Sequence, residues 1–599
     1  MKNRDNWDGH NRMWWRVAHF YLPQQGWSGI LRFDNNCNRA SESSKRPENM
    51  FRWLSNLTDS RPLGSASGAR KFVASLDRDI FSASDAVCAV LRSFNSDGQT
   101  QGAVSAAPLF ELDVRTDAMT LRLERDFLAA SLQSHSLRER LWDTGYDWAM
   151  RFADAYRLVL MRETASVAGR SASEFARVAI RFFYFRAMAY RYRLYRHEEW
   201  IPAIWIETHQ AFRKACDLGV DHVVVSDPAS GQVSYPARAF SALALLRLGN
   251  AGGYTPSQIN ALYKKIEEFT HDLKLTARPA NESGFAINLA GSDGLVPRHS
   301  VPQGGQYLYC DTTSVHARAL AWLDQVESED GGRNVTLGGS LSQNPLLSLR
   351  SAVLRIDPDF KPLTRASTRN DDHGRLAATY GVAKVAIAIS FEPGMLAASM
   401  EGDSYDYADT LEIETLGLLK DSTMKRLRRD LPPEAARLNL QFWHLRDRSD
   451  TGFRCVVPNT STQRLRLRDI VAVTEEAPAA GWQIATIVRL LKLPAGHIEI
   501  GLQMLSREVH TIELRTLRTR HGLYRDNAAT LVASATFKAV RLSSAVFGRP
   551  IMGPSWIMSA ADYQAGVTYE VQGSQRRYEA SDMVSEGSDW VWVKPTELS

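Results

Sequence analysis

The chain has 599 residues, with 72 Lys and Arg against 67 Asp and Glu, for a formal charge of only +5. Hydrophobic residues make up 44% and charged residues 23%, which suits a globular protein and excludes a disordered, collagen-like or disulfide-scaffold chain. So small a net charge gives no global case for nucleic acid, and an anionic partner must be argued from local clusters.

The first predicted segment, residues 1–120, is poorly readable. Met13-Trp14-Trp15 and Phe20-Tyr21-Leu22 read as buried anchors, and Ser41–Ala69 reads as loop or linker. A helical domain is predicted over residues 121–345. Leu121, Leu123, Phe127 and Leu128 recur at helical steps, as do Trp148, Phe152, Tyr156 and Leu160. Phe175–Arg196 is thick with aromatics and arginine. It reads as a core helix whose arginines snorkel outward, with a single-stranded nucleic-acid platform as the alternative. Helices are also predicted over Ile204–Cys216, Tyr235–Leu248, Ile259–Leu273 and Thr313–Gln325, with Thr255 as an N-cap before Pro256. No fixed repeat period is present, so the expectation is an irregular helical array.

After residue 375 the period becomes alternating. Strands are predicted at Lys384–Ser390, Leu438–Leu445, Arg464–Val473, Trp482–Leu490 and His497–Leu505, the last two as a hairpin. Such strands suggest a small closed barrel over about 355–515. An acidic insertion at about 391–436, followed within it by Lys425-Arg426-Leu427-Arg428-Arg429, interrupts the barrel. Residues 516–599 alternate less regularly, with strands at Gly566–Glu570 and Trp590–Val593, and read as a β-rich C-terminal extension. The fold class is thus α+β multidomain.

Two motifs carry chemistry. Arg365-Ala366-Ser367-Thr368-Arg369 is an RxxxR, and Asp447-Arg448-Ser449-Asp450-Thr451-Gly452 is a DxSxxG. Guanidinium forks can grip phosphate or the O6/N7 edge of guanine. A carboxylate accepts from the N1 and N2 donors of guanine, Ser449 adds a hydroxyl, and Gly452 permits close approach of a flat base. The alternative for Asp447 and Ser449 is a plain β-turn with the Asp bonding backbone N–H groups. The order of the two motifs around alternating strands is more specific than either motif alone.

This arrangement resembles the PilZ domain, a six-stranded antiparallel barrel that binds cyclic di-GMP between its RxxxR loop and DxSxxG strand. Gly481–Arg489 and Ile500-Gly501-Leu502 are similar to the family's late strands. The helical half is similar to the N-terminal region of large β-proteobacterial PilZ proteins at Trp205–His209, Tyr235–Leu248 and Leu346–Arg350. The resemblance implies cyclic di-GMP as the ligand. It implies Arg365 and Arg369 on phosphate and guanine, and Asp447, Ser449 and Gly452 along the base. The interval from Arg369 to Asp447 is longer than the family's usual gap, so Arg426, Arg429 and Arg448 are further candidates, with Arg426 and Arg429 able to replace or join the first pair. It also implies output to an unknown protein partner in motility, pili or biofilm.

Cys37, Cys88, Cys216, Cys310 and Cys455 are scattered without a CxxC pair, which fits a reducing cytoplasm and offers no metal framework. The N-terminus lacks the apolar core of a secretory signal. No apolar run reaches the roughly 18 residues of a membrane span. HExxH, GxxxxGK[ST] and GxSxG are missing, so no enzyme activity, cofactor or nucleic-acid partner is expected. A scaffold acting through the helical array, with no ligand at the barrel, is the competing expectation.

Overall fold

A computed structural model describes residues 62–100, 105–130, 135–162, 172–226, 233–249, 252–273, 275–278, 284–301, 307–329, 345–359, 370–371, 374–391, 440–458, 465–475, 481–493, 496–520, 530–543, 555–574 and 576–598. Helices start earlier than expected. They are α1 (Ala66–Ala74), α2 (Ile80–Thr100), α3 (Ala107–Ala129), α4 (His135–Arg162), α5 (Ala172–Tyr195) and α6 (Pro202–Asp217). The first of these overlaps the expected linker. Ser65 caps it by accepting from the Gly68 N–H at 3.0 Å, a signal hidden by its Ser/Gly-rich surroundings. After them come α7 (Pro236–Gly249), α8 (Pro256–Phe269), α9 (Thr313–Glu329) and α10 (Pro345–Arg355). The cap on α8 is a full capping box between Thr255 and Gln258, with Pro256 at the first helical position.

The aromatic helix α5 is the axis of this part and is buried on nearly every side. Phe185 stacks on Phe152 of α4 with ring centroids 4.6 Å apart. Three of its arginines, Arg181, Arg186 and Arg191, are buried and do not snorkel, and for these the expectation is corrected. Arg181 makes a two-pronged bond to Asp113 of α3, at 2.6 and 2.7 Å. Arg191 meets Glu124 at 2.5 Å, and Arg186 meets Asp154 and Glu207. A charge enclosed by helices on all sides cannot reach water, so it is retained only by pairing. The same burial removes α5 as a nucleic-acid platform.

Small strands complete the region. A hairpin joins β1 (Val225–Ser226) and β2 (Val233–Ser234). A sheet in the order β3-β6-β4-β5 joins β3 (Leu275–Thr276), β4 (Phe285–Asn288), β5 (Val296–Pro297) and β6 (Tyr307–Cys310).

The first barrel contains β8 (Arg375–Tyr380), β9 (Gln441–Ser449), β10 (Gly452–Pro458), β11 (Ile470–Glu475), β12 (Gln483–Lys492) and β13 (His497–Ser506). The order β10-β13-β12-β11-β8-β9 closes because β9 also pairs with β10. β7 (Asn370–Asp371) is added beside the end of β9. The β12–β13 hairpin stands as expected. Trp443, Cys455, Val471, Ile487 and Ile500 fill the interior.

The expected C-terminal extension closes into a second six-stranded barrel, in the order β14-β15-β16-β19-β18-β17. Its strands are β14 (Val509–Arg520), β15 (Thr530–Leu542), β16 (Ser555–Ser559), β17 (Thr568–Val571), β18 (Arg577–Glu586) and β19 (Trp590–Leu598). Closure leaves no open sheet edge.

The expected strand at Lys384–Ser390 is instead α11 (Val382–Ile389). Val382, Val385, Ala386 and Ala388 are buried at helical spacing, and Asp589 of the second barrel accepts from the Val382 N–H at 3.0 Å. α11 packs into a cluster holding Ile470 and Ile484 of the first barrel and Val540, Ile557 and Trp592 of the second.

The helical part meets the first barrel along β12. The Leu490 N–H donates to Gly252 O at 3.0 Å and the Lys492 N–H to His197 O at 2.9 Å. Gly252 has φ +72°, and a Cβ there would stand 2.7 Å from Leu490 O, so only glycine fits this contact.

Candidate functional site

The DxSxxG residues span the tight hairpin between β9 and β10. Ser449 is registered opposite Gly452, leaving Asp450 and Thr451 as the turn. The Ser449 hydroxyl donates to Gly452 O at 3.2 Å. The Met504 N–H donates to Thr451 O, and Arg507 donates to Asp450 O, both at 2.9 Å. The turn is therefore tied to the end of β13. A Cβ on Gly452 would stand 2.1 Å from Leu502 O. The space left by its missing side chain is taken by the neighbouring strand.

A bulge sets the direction of Asp447. Leu445 pairs with Cys455 but Asp447 pairs with Arg454, so Arg446 is an extra residue in β9. Bulges of this kind re-aim a side chain. The Asp447 carboxylate is buried and lies 2.6 Å from Arg454 Nε. It binds a side-chain guanidinium, which neither the base-lining nor the turn expectation named. Arg454 also reaches Glu499 at 3.8 Å, and Glu499 reaches Arg489 at 3.7 Å. Charges thus step across β9, β10, β13 and β12. The Arg489 stem lies against Gly252, at the seam with the helical part. Arg448 points elsewhere, 3.1 Å from Glu475 and over the Phe453 ring.

Beside this hairpin, β7 registers Asn370 opposite Arg448 and Asp371 opposite Asp447. The residue that follows Arg369 in the chain therefore pairs with the motif strand. Arg365, Arg369, Arg426, Arg429 and the acidic insertion from residue 392 onward lie outside the described residues.

Positive groups surround His444. Burial pushes His444 down to about 4, and Arg375, Arg446 and His497 act in the same direction. Burial also raises the Cys455 thiol, helped by Asp447. Arg454, Glu499 and Arg489 were not found from sequence. Glu499 and Gly501 alternate with the buried Ile498, Ile500 and Leu502, which marks an outward face. Nothing in the sequence pairs that face with β10 or β12.

Among the described residues there is no group of three or more His, Cys, Asp or Glu able to hold a metal. No described helix is long and apolar enough to cross a membrane. Residues 67–280 match the family model described as "Cyclic-di-GMP receptor FimW, N-terminal domain". No curated protein matches the chain.

Proposed function

We propose that this protein is a cytoplasmic cyclic di-GMP-binding effector without chemistry of its own. Its first barrel acts as a PilZ-like ligand domain, and its helical part carries the output. The observation that carries this reading is the agreement of two separate stretches. The matched residues 67–280 lie in the helical part, while the DxSxxG hairpin lies in the barrel, with β7 bringing the chain after Arg369 alongside it.

In this reading Arg365 and Arg369 grip phosphate and guanine, while Asp447 accepts from the guanine N–H groups. Ligand and Arg454 then compete for one carboxylate. A released Arg454 has Glu499 as its remaining acid, and Glu499 also serves Arg489 at the seam. Ligand binding shifts how barrel and helices meet by its differential affinity for the two arrangements. The output passes to a protein partner in motility, pilus or biofilm control.

Calorimetry of the full chain with cyclic di-GMP tests this. Binding is expected at micromolar concentration. Arg365→Ala, Arg369→Ala and Asp447→Ala should each weaken it about 10- to 100-fold, the worth of a charge-assisted hydrogen bond. No heat at tens of micromolar would sink the proposal. The existing Asp447–Arg454 pair supports a second reading, in which the barrel is self-satisfied and the protein is a scaffold acting through its helices. That reading predicts no binding by the wild-type chain.

A further inference from the structure

The helical part holds a cavity that the barrel site does not use. Its volume is about 580 Å³, and it opens between α2, α4 and α6. Four arginines, Arg92, Arg151, Arg157 and Arg162, are among its lining residues, with two acids, Asp154 and Glu207.

Those carboxylates are already engaged. Arg186, fully buried in α5, lies 3.0 Å from Asp154 and 2.7 Å from Glu207. Arg157 stands 3.5 Å from Glu207 through Nη1, and its Nη2 donates to Gln210 at 3.4 Å. Asp147, outside the lining, holds Arg92 at 3.4 Å and Arg151 at 2.9 Å. The acids thus hold these arginine side chains in fixed positions, which lowers the cost of ordering them on binding.

Two buried polar atoms of the lining have no partner: Arg157 Nε and Asn95 Oδ1. The Asn95 amide is oriented by its own Nδ2, which donates to Arg151 O at 3.5 Å. Buried polar atoms are nearly always satisfied, so these two leave an unmet donor and an unmet acceptor beside the cavity. Leu158 and Met161 add an apolar wall.

The combination defines the occupant. Guanidinium forks suit phosphate oxygens. An acceptor amide beside a thioether suits the polar edge and flat face of a ring. A bare oxyanion would leave most of the volume empty, whereas cavities of about 300–1,000 Å³ hold small organic ligands. We propose that this cavity binds a phosphorylated small molecule of nucleotide size, separately from the barrel. Its phosphate sits against the arginines of α2 and α4, and its ring against Asn95 and Met161.

The test is calorimetry of the full chain with two probes, AMP and inorganic pyrophosphate. Both should bind saturably and compete with each other. Arg157→Ala and Arg92→Glu should each weaken binding about tenfold or more. Arg92 is half exposed, so Arg92→Glu keeps the test valid if Arg157→Ala disturbs the bundle. Asp447→Ala should change nothing here, so failure at this cavity and failure at the barrel are separable. If neither probe binds at millimolar concentration, the proposal is overturned. It is equally overturned if binding survives both arginine variants, or is lost with Asp447→Ala.

Discussion

Gly452 illustrates how one residue can serve a motif and a fold together. Its α-carbon faces the Leu502 carbonyl so closely that any Cβ would fall 2.1 Å from that oxygen. The contact is with backbone, so no side-chain rotation relieves it. Gly452→Ala should therefore pry β10 from β13 and cost about 1–3 kcal/mol, as overpacking does. Urea unfolding measures this, and an unchanged midpoint would contradict the close approach. The residue-scale features of the site were partly legible in sequence. Asp447, Ser449 and Gly452 lie within six consecutive positions, so the motif and its turn could be read directly, but the strand β10 that follows Gly452 was not expected. Arg454, Glu499 and Arg489 could not, because strand register alone brings them together, and a bulge at Arg446 alters even that register.

At the scale of the element, α5 shows what a helix does with arginines it cannot expose. Arg181 and Asp113 have side-chain exposures of only 8% and 3%, and Tyr156 also donates to Asp113. Arg181→Ala leaves a buried carboxylate without its counter-ion and should cost about 3–5 kcal/mol. The double variant Arg181→Met/Asp113→Leu should recover most of that loss, since well-packed apolar pairs often replace buried ion pairs at no net cost. Chemical denaturation of the three proteins checks both statements. The position of this helix was legible from its aromatic density, but the fate of its charges was not. That depends on acids in α3, α4 and α6, which are remote in sequence. The segment Lys384–Ser390 failed for a different reason. Alternating small and branched residues fit a strand locally, but burial on two sides and a cap from Asp589 favour the helix α11.

Across the whole molecule, two seams respond to pH with opposite sign. At the seam between helices and first barrel, burial pushes His197 down to about 4, helped by Lys492 and Arg138. Its unfolded value is about 6.5. The contribution is full above that value and is lost as pH falls toward 4. At the seam between the barrels, burial pushes Asp469 up to about 6, while Ser588 donates to it at 2.7 Å. The folded state then holds a proton that the unfolded state releases above about 4. That contribution is lost as pH rises through about 4 to 6. Hydrogen exchange, corrected for intrinsic rates, should show the Leu490 and Lys492 amides less protected at pH 5 than at pH 7. The Val382 amide should be more protected at the lower pH. Parallel changes at both seams would refute this assignment. Gly252→Ala, strained at φ +72°, should loosen the first seam alone and speed exchange at Leu490. The helix α11 has a further consequence for how the barrels can be handled. Closed barrels are usually separable, each with a complete interior. Here the Ala386 carbonyl accepts from Thr511 at 2.8 Å, and Trp590 reaches across to Arg468 O at 2.7 Å. A cut between Ser506 and Val509 would strand two tryptophans and half of a shared apolar cluster in water. The two barrels should therefore melt in one transition, and neither should be recovered intact as an isolated fragment.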